Sequence, residues 1–289
     1  MTDRTGFVDI EWRGRRVRIE HAWIASERSK APLIVYLHEG LGSVSMWRDF
    51  PQRLCDAAGC RGLVYSRPGY GRSTPRPADE AWGVDFMHRQ AHEVLPAVLD
   101  ALDIDASAQP PWLLGHSDGA SIALLYAARF PQCVAGAIVL APHIKVEAFG
   151  LIGIRAAREA YLHGDLKSGL ARHHQDPDSA FWGWNTIWLD PAFAAWNIEA
   201  ELAHITGPVL AVQGAQDQYG TMAQIDGIAL HAPQTALLKL QECGHSPHRD
   251  QPQAVIDAAI EFIRRHSRLT PSPGATPAIQ VRRSPQETT

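Results

Sequence analysis

The stretch from residue 112 to residue 130 constrains the fold most. An apolar run, Trp112-Leu113-Leu114, enters Gly115-His116-Ser117-Asp118-Gly119, and a helix-forming run from Ala120 to Phe130 leads away. That order describes a strand, a sharp turn and a helix. A turn so sharp presents Ser117 in a strained, exposed position. Strand and helix nearly touch there, so small residues are required on both sides, and Gly115 and Gly119 supply them. The pentapeptide alone is short enough to arise by chance. Its flanks make it a specific signal for a serine presented for chemistry.

The rest of the chain reads as a sheet built around that turn. Continuous apolar runs at 32–37, 61–66, 135–142, 208–213 and 236–240 suit strands buried on both faces, as in a parallel sheet. Residues 7–12 and 15–24 flank Arg13-Gly14. In the second segment Val17, Ile19, His21 and Trp23 alternate with Arg16, Arg18 and Glu20, which predicts an antiparallel hairpin at a sheet edge. Helical spacing covers 85–102, with Pro96 as an expected kink, and also 221–231 and 251–266. Between 142 and 208 the chain is too long for a loop and too structured for a linker, with helical runs near 148–162, 166–173, 178–188 and 191–197. The expected organisation is a core of 1–143 and 205–267, an inserted helical cap of 144–204, and a disordered Pro/Ser/Gly/Thr-rich tail of 268–289. Trp182, Trp184, Trp188 and Trp196 crowd the cap and suit its core or the wall of a pocket.

Composition excludes several classes. The net charge of −4 gives no electrostatic case for nucleic acid or an anionic membrane. No apolar run approaches the ~20 residues of a membrane span. Residues 1–6 have no apolar signal core behind them, and Cys55, Cys60, Cys133 and Cys243 show no Cys-x-x-Cys spacing, so reduced thiols in the cytoplasm are expected. His88 and His92 share a helix face without a third ligand and suit a solvated face. His173-His174 are adjacent and diverge. No metal site is expected.

A serine hydroxyl needs a base, and the base needs a carboxylate to fix its tautomer. All three must lie at the same end of the sheet. Asp217 follows the 208–213 strand, and His245 follows the 236–240 strand, with Gly244 allowing close approach. His248 is the rival base and Glu242 the rival acid. The oxyanion of an acyl-transfer intermediate needs two N–H donors. The residue after the serine, Asp118, supplies one, and the Gly-rich loop His38–Gly42 supplies the other, best placed at Gly40.

His38-Glu39-Gly40, Pro68-Gly69-Tyr70-Gly71-Arg72-Ser73, Gly115–Gly119, Gly214-Ala215-Gln216-Asp217 and Gly244-His245 together resemble the α/β-hydrolase superfamily, and within it the lidded carboxylesterase and C–C hydrolase branch. The resemblance covers about residues 7–266. It implies a mostly parallel eight-stranded sheet flanked by helices, a helical cap after the sixth strand, and hydrolysis through an acyl-enzyme without a cofactor. A small-molecule ester is the expected substrate. C–C bond, lactone and thioester hydrolysis use the same residues, acyl transfer needs only a nucleophile better than water, and a non-catalytic ligand-binding role would need no triad. The oligomeric state is left open.

Two residues depart from the family pattern. Glu39 stands where relatives usually carry glycine, and its carboxylate would repel a developing oxyanion unless it turns away or pairs with an arginine. Asp118 stands where an apolar or amide residue is commoner. It would either bond to nearby backbone at the helix N-terminus or select an amine-bearing substrate. With Glu39, the tryptophans Trp182, Trp184 and Trp188 are the candidate pocket residues. Arg155, Arg158 and Arg172 are candidate cap cations for a substrate carboxylate.

Overall fold

Arg13 and Gly14 both take positive φ, 53° and 71°, the conformation that lets a two-residue turn follow the right-handed twist of paired strands. They join β1 (Arg4–Trp12) to β2 (Arg15–Ile24) in the first hairpin of the computed structural model, which describes residues 4–267. The chain continues through β3 (Leu33–Leu37), α1 (Phe50–Ala58) and β4 (Arg61–Tyr65). Next come α2 (Phe86–Arg89), a π-turn over Gln90–Val94, α3 (Leu95–Ala101), β5 (Trp112–His116), α4 (Asp118–Arg129) and β6 (Gly136–Leu140). A helical excursion follows: α5 (Gly150–His163), α6 (Leu166–Leu170), α7 (Pro177–Trp188), a 3-10 turn at Pro191–Ala195, and α8 (Glu199–Leu202). The sheet then resumes with β7 (Val209–Gly214), α9 (Ala223–His231) and β8 (Thr235–Leu240), and α10 (Pro247–Asp250) and α11 (Pro252–Ser267) end the described chain. The expected tail at 268–289 lies outside the described residues.

The eight strands form one sheet in the order β1-β2-β4-β3-β5-β6-β7-β8. Only β2 runs against its neighbours; β4 through β8 pair in parallel. The central strands β3, β5, β6 and β7 are buried along their whole length, as unbroken apolar runs require when helices cover both faces. One face packs on α1 and α11 through Leu54, Val255 and Phe262. The other packs on α3, α4 and the helical excursion through Val98, Leu124 and Trp188.

The helix expected over 85–102 is interrupted. Pro96 has no amide hydrogen to give the carbonyl four residues back, and the turn just before it widens to π geometry. His88 and His92 are half-buried, with the His92 ring edge-on to Phe130 and His88 Nε2 3.4 Å from Glu201, so that face is packed and not merely solvated. All four cysteines are free. Among the described residues no helix is long and apolar enough to cross a membrane, and no group of His, Cys, Asp and Glu is arranged to hold a metal ion.

Candidate active site

Ser117 lies at the junction of β5 and α4 with φ 52° and ψ −121°, a left-handed conformation that costs a non-glycine residue about 1–3 kcal/mol. Its neighbours show why the turn holds. A Cβ on Gly115 would meet the Gly119 carbonyl oxygen at 2.2 Å, and a Cβ on Gly119 would meet the Leu37 carbonyl oxygen at 2.0 Å. The strand and helix leave no room for a methyl group at either position.

Three side chains from different strand ends meet here. The Ser117 hydroxyl lies 2.9 Å from His245 Nε2, and His245 Nδ1 lies 2.8 and 2.9 Å from the two Asp217 oxygens. Asp217 is fixed by Gln213 Nε2 at 2.7 Å and by the Tyr219 N–H at 2.7 Å. Burial works to raise the Asp217 pKa, but the His245 hydrogen bond and its charge outweigh it and leave the carboxylate below its ordinary value. Burial lowers the His245 pKa, and Asp217 pulls it back only in part. The imidazole therefore rests neutral, with Nδ1–H on the carboxylate and Nε2 free to accept the serine proton. His248 lies apart, its ring packed against Trp47, Phe50 and His116 with neither nitrogen hydrogen-bonded.

Gly40 and Asp118 both line the cavity at Ser117. Asp118 is the first residue of α4, so its N–H has no intrahelical acceptor. At Gly40 the orientation is set from behind. The Glu39 carbonyl accepts from His38 Nδ1 at 2.7 Å, Arg67 Nη2 at 2.9 Å and the Gly42 N–H at 3.0 Å. Because a trans peptide points its C=O and N–H in opposite directions, holding that carbonyl turns the Gly40 N–H the other way. Arg67 is fully buried, and neither that burial nor this contact leaves a local sequence signal.

Glu39 lines the cavity at Ser117, and its carboxylate is paired. Its oxygens lie 3.5 Å from Arg249 Nη2 and 3.5 Å from His116 Nδ1. Burial would raise its pKa, but His116 and Arg249 hold it well below the usual carboxylate range. Asp118 neither caps the helix nor lies open. Its Oδ1 accepts from Trp188 Nε1 at 3.1 Å, and Oδ2 sits 3.9 Å from Arg67 Nη2 with no hydrogen bond. Burial pushes its carboxyl up to about 6, against the pull of Arg67 and Trp188.

The cavity at Ser117 has a volume of about 110 Å³; Trp184, Trp188, Ile154 and His143 form much of its wall. Trp184 and Trp188 are one helical turn apart on α7 and share a face. Trp182, two residues earlier, points elsewhere: its ring packs on Tyr161 and Phe181, with the Arg158 guanidinium over it, and it does not line the cavity. Trp196 packs on Phe193 and Trp188. His143 carried no sequence signal. Its ring meets Trp188 edge-on and lies tilted against His245, and burial and the His245 ring push its pKa down to about 3.

A sequence profile described as the alpha/beta hydrolase family matches residues 34–258. The chain belongs to the alpha/beta hydrolase family. No curated protein matches it by sequence. Among solved structures, a thermophilic esterase from Thermogutta terrifontis superposes with a TM-score of 0.69 at 16% identity, over 91% of this chain and 99% of its own. An enol-lactonase from Burkholderia xenovorans LB400 gives 0.67 at 18% identity over 86% and 97%. The proline iminopeptidase of Mycobacterium smegmatis gives 0.69 at 16% identity over 92% and 100%. These likenesses show the hydrolase fold.

Proposed function

We propose that this alpha/beta hydrolase is a serine esterase that cleaves a carboxylic ester with a small, uncharged acyl group through an acyl-enzyme on Ser117. The observation that carries this reading is the hydrogen-bonded line Ser117–His245–Asp217 at the mouth of the 110 Å³ cavity. Ser117 attacks the ester carbonyl as His245 takes its proton, and Asp217 stabilises the imidazolium. The tetrahedral oxyanion is held by the Gly40 and Asp118 N–H groups, each typically worth ~10²–10³ in rate. His245 returns the proton to the leaving alcohol, and water repeats the sequence to release the acid.

The acyl group is read from the wall. A cavity of about 150 Å³ admits benzene, so 110 Å³ suits a shorter acyl chain. Among the described residues lining it there is no lysine or arginine, so a substrate carboxylate finds no partner, which favours esters and lactones over acidic C–C substrates. Asp118 is fully buried against Trp188 and Arg67, so its carboxyl is not open to an amine on the substrate. The excursion between β6 and β7 serves as the cap that closes this cavity. The test is a panel of acetyl, butyryl and octanoyl p-nitrophenyl esters with lactones, thioesters and diketones alongside. The short esters should turn over fastest, and Ser117→Ala should lose roughly 10⁶ in kcat. Turnover retained in that variant would refute the mechanism.

A further inference from the structure

A second cavity, of about 780 Å³, lies where the β1–β2 hairpin, the loop after β3, the loop after β4 and residues 171–175 converge. It shares no lining residue with the cavity at Ser117. Arg18, Arg48, Arg72 and Arg172 line it, together with His173 and one carboxylate, Glu20. Among the described residues none of these four arginines meets a carboxylate at ion-pair distance. Glu20 brings one negative charge against these four positive ones. Its Oε2 is already taken by the Ser66 hydroxyl at 2.8 Å and by the Arg72 backbone N–H at 2.9 Å.

The frame of this cleft is held in place. His173 Nδ1 bonds to the Ser45 hydroxyl at 2.9 Å, and His174 accepts from the Gly71 N–H at 2.9 Å while its other nitrogen bonds to the Leu41 carbonyl at 2.9 Å. The Arg18 guanidinium lies 3.8 Å from the Phe7 ring centroid, which fixes its plane. Arg48 adopts φ 55°, ψ −128°, a strained conformation of the kind that persists at functional sites. Besides burial, Arg172, Arg249 and Arg48 depress the His173 pKa, as expected where cations crowd one ring. All four arginines are exposed at this cleft, so in a chain of net charge −4 they form a local positive surface that attracts anions.

We infer that this cleft binds a phosphorylated ligand, distinct from the acyl group that enters the cavity at Ser117. Guanidinium forks match phosphoryl oxygens two at a time, and several forks around one space select a multiply charged group over a monoanion. The volume suits a ligand far larger than a bare ion. The phosphoryl group has two sources. It is either the far end of the leaving alcohol, since Leu41 lines the acyl cavity and its carbonyl anchors His174, or a separate regulatory molecule.

Titration calorimetry of the full chain with inorganic pyrophosphate tests the inference without turnover, so it stands or falls apart from the esterase reading. Saturable binding is expected, weakened at least tenfold in R48A/R172A, partly restored in R48K/R172K, and unchanged in Ser117→Ala. Binding no tighter than that of acetate, or equal in R48A/R172A and wild type, would overturn it. The source follows from kinetics. If the ligand is the leaving group, R48A/R172A raises KM for a phosphate-bearing acetate ester but not for p-nitrophenyl acetate. If it is a regulator, pyrophosphate changes the turnover of p-nitrophenyl acetate in wild type and not in R48A/R172A.

Discussion

His116 Nε2 lies 2.7 Å from the backbone carbonyl of His245. A carbonyl only accepts, so Nε2 carries the hydrogen. The residue before Ser117 thus ties the loop that carries His245 to the strand that ends at Ser117, and its other nitrogen lies 3.5 Å from Glu39 without a hydrogen bond. Position of this kind is worth rate even though His116 touches no reacting atom.

Replacing His116 by alanine should therefore lower kcat about tenfold while KM stays within twofold. His116→Gln, whose amide can still donate to the carbonyl, should recover part of the loss. Steady-state kinetics on a short ester decides this. A change in KM alone would mean that His116 shapes the pocket instead.

Gly40 is locked by the residue above it. A Cβ there would lie 2.2 Å from Trp184 Nε1, so Gly40→Ala must displace the Trp184 ring or twist the loop and its N–H. The expected loss is ~10² in kcat, the effect of one misplaced oxyanion donor. Trp184→Ala in the Gly40→Ala background removes the clash and should recover rate. If the double variant is no faster than the single one, the loop is distorted by something other than Trp184.

How much of this was legible follows from what kind of signal each feature leaves. Ser117, Asp217 and His245 stand in short motifs at strand ends, and strand ends are readable because fully buried parallel strands are unbroken apolar runs. Gly40 was readable because its loop is glycine-rich. What Trp182 does was not, because a crowd of tryptophans does not say which lie on one helical face until the register of α7 is fixed. Arg67 meets Asp118 and Arg249 meets Glu39 across contacts far apart in sequence, and no local pattern announces such a pair. The π-turn before Pro96 was anticipated only as a kink, because the missing amide hydrogen has two remedies and the surrounding packing chooses between them.

Asp118 should make stability fall with pH. Its carboxyl is pushed up to about 6 in the folded chain, against 3.8 as the ordinary value. A group raised in this way is stabilising below its unfolded pKa, and that contribution is lost as pH rises through the folded value. The difference of about two units corresponds to ~3 kcal/mol, lost between about pH 4 and pH 6. Asp118→Asn lacks this titration. It should be less stable than wild type at pH 4, and the gap should shrink or reverse by pH 7, read from thermal unfolding at the two pH values. A constant gap would show that Arg67 holds Asp118 ionised throughout.

On the proposed mechanism Glu39 lies beside the oxyanion site, and Arg249 compensates its charge. The pair is 3.5 Å apart and partly screened by solvent on the Arg249 side, so its worth to stability is small. Its worth to the reaction is larger, because an uncompensated carboxylate near Gly40 opposes the charge that develops in the transition state. Arg249→Ala should lower kcat about tenfold with little change in melting temperature. Glu39→Gln in the Arg249→Ala background removes the offending charge and should return kcat to within about threefold of wild type, whereas Glu39→Gln alone should cost little. A double variant as slow as Arg249→Ala would show that Arg249 acts through its hydrogen bond to the Met46 carbonyl, by shaping the loop, and not through the charge on Glu39.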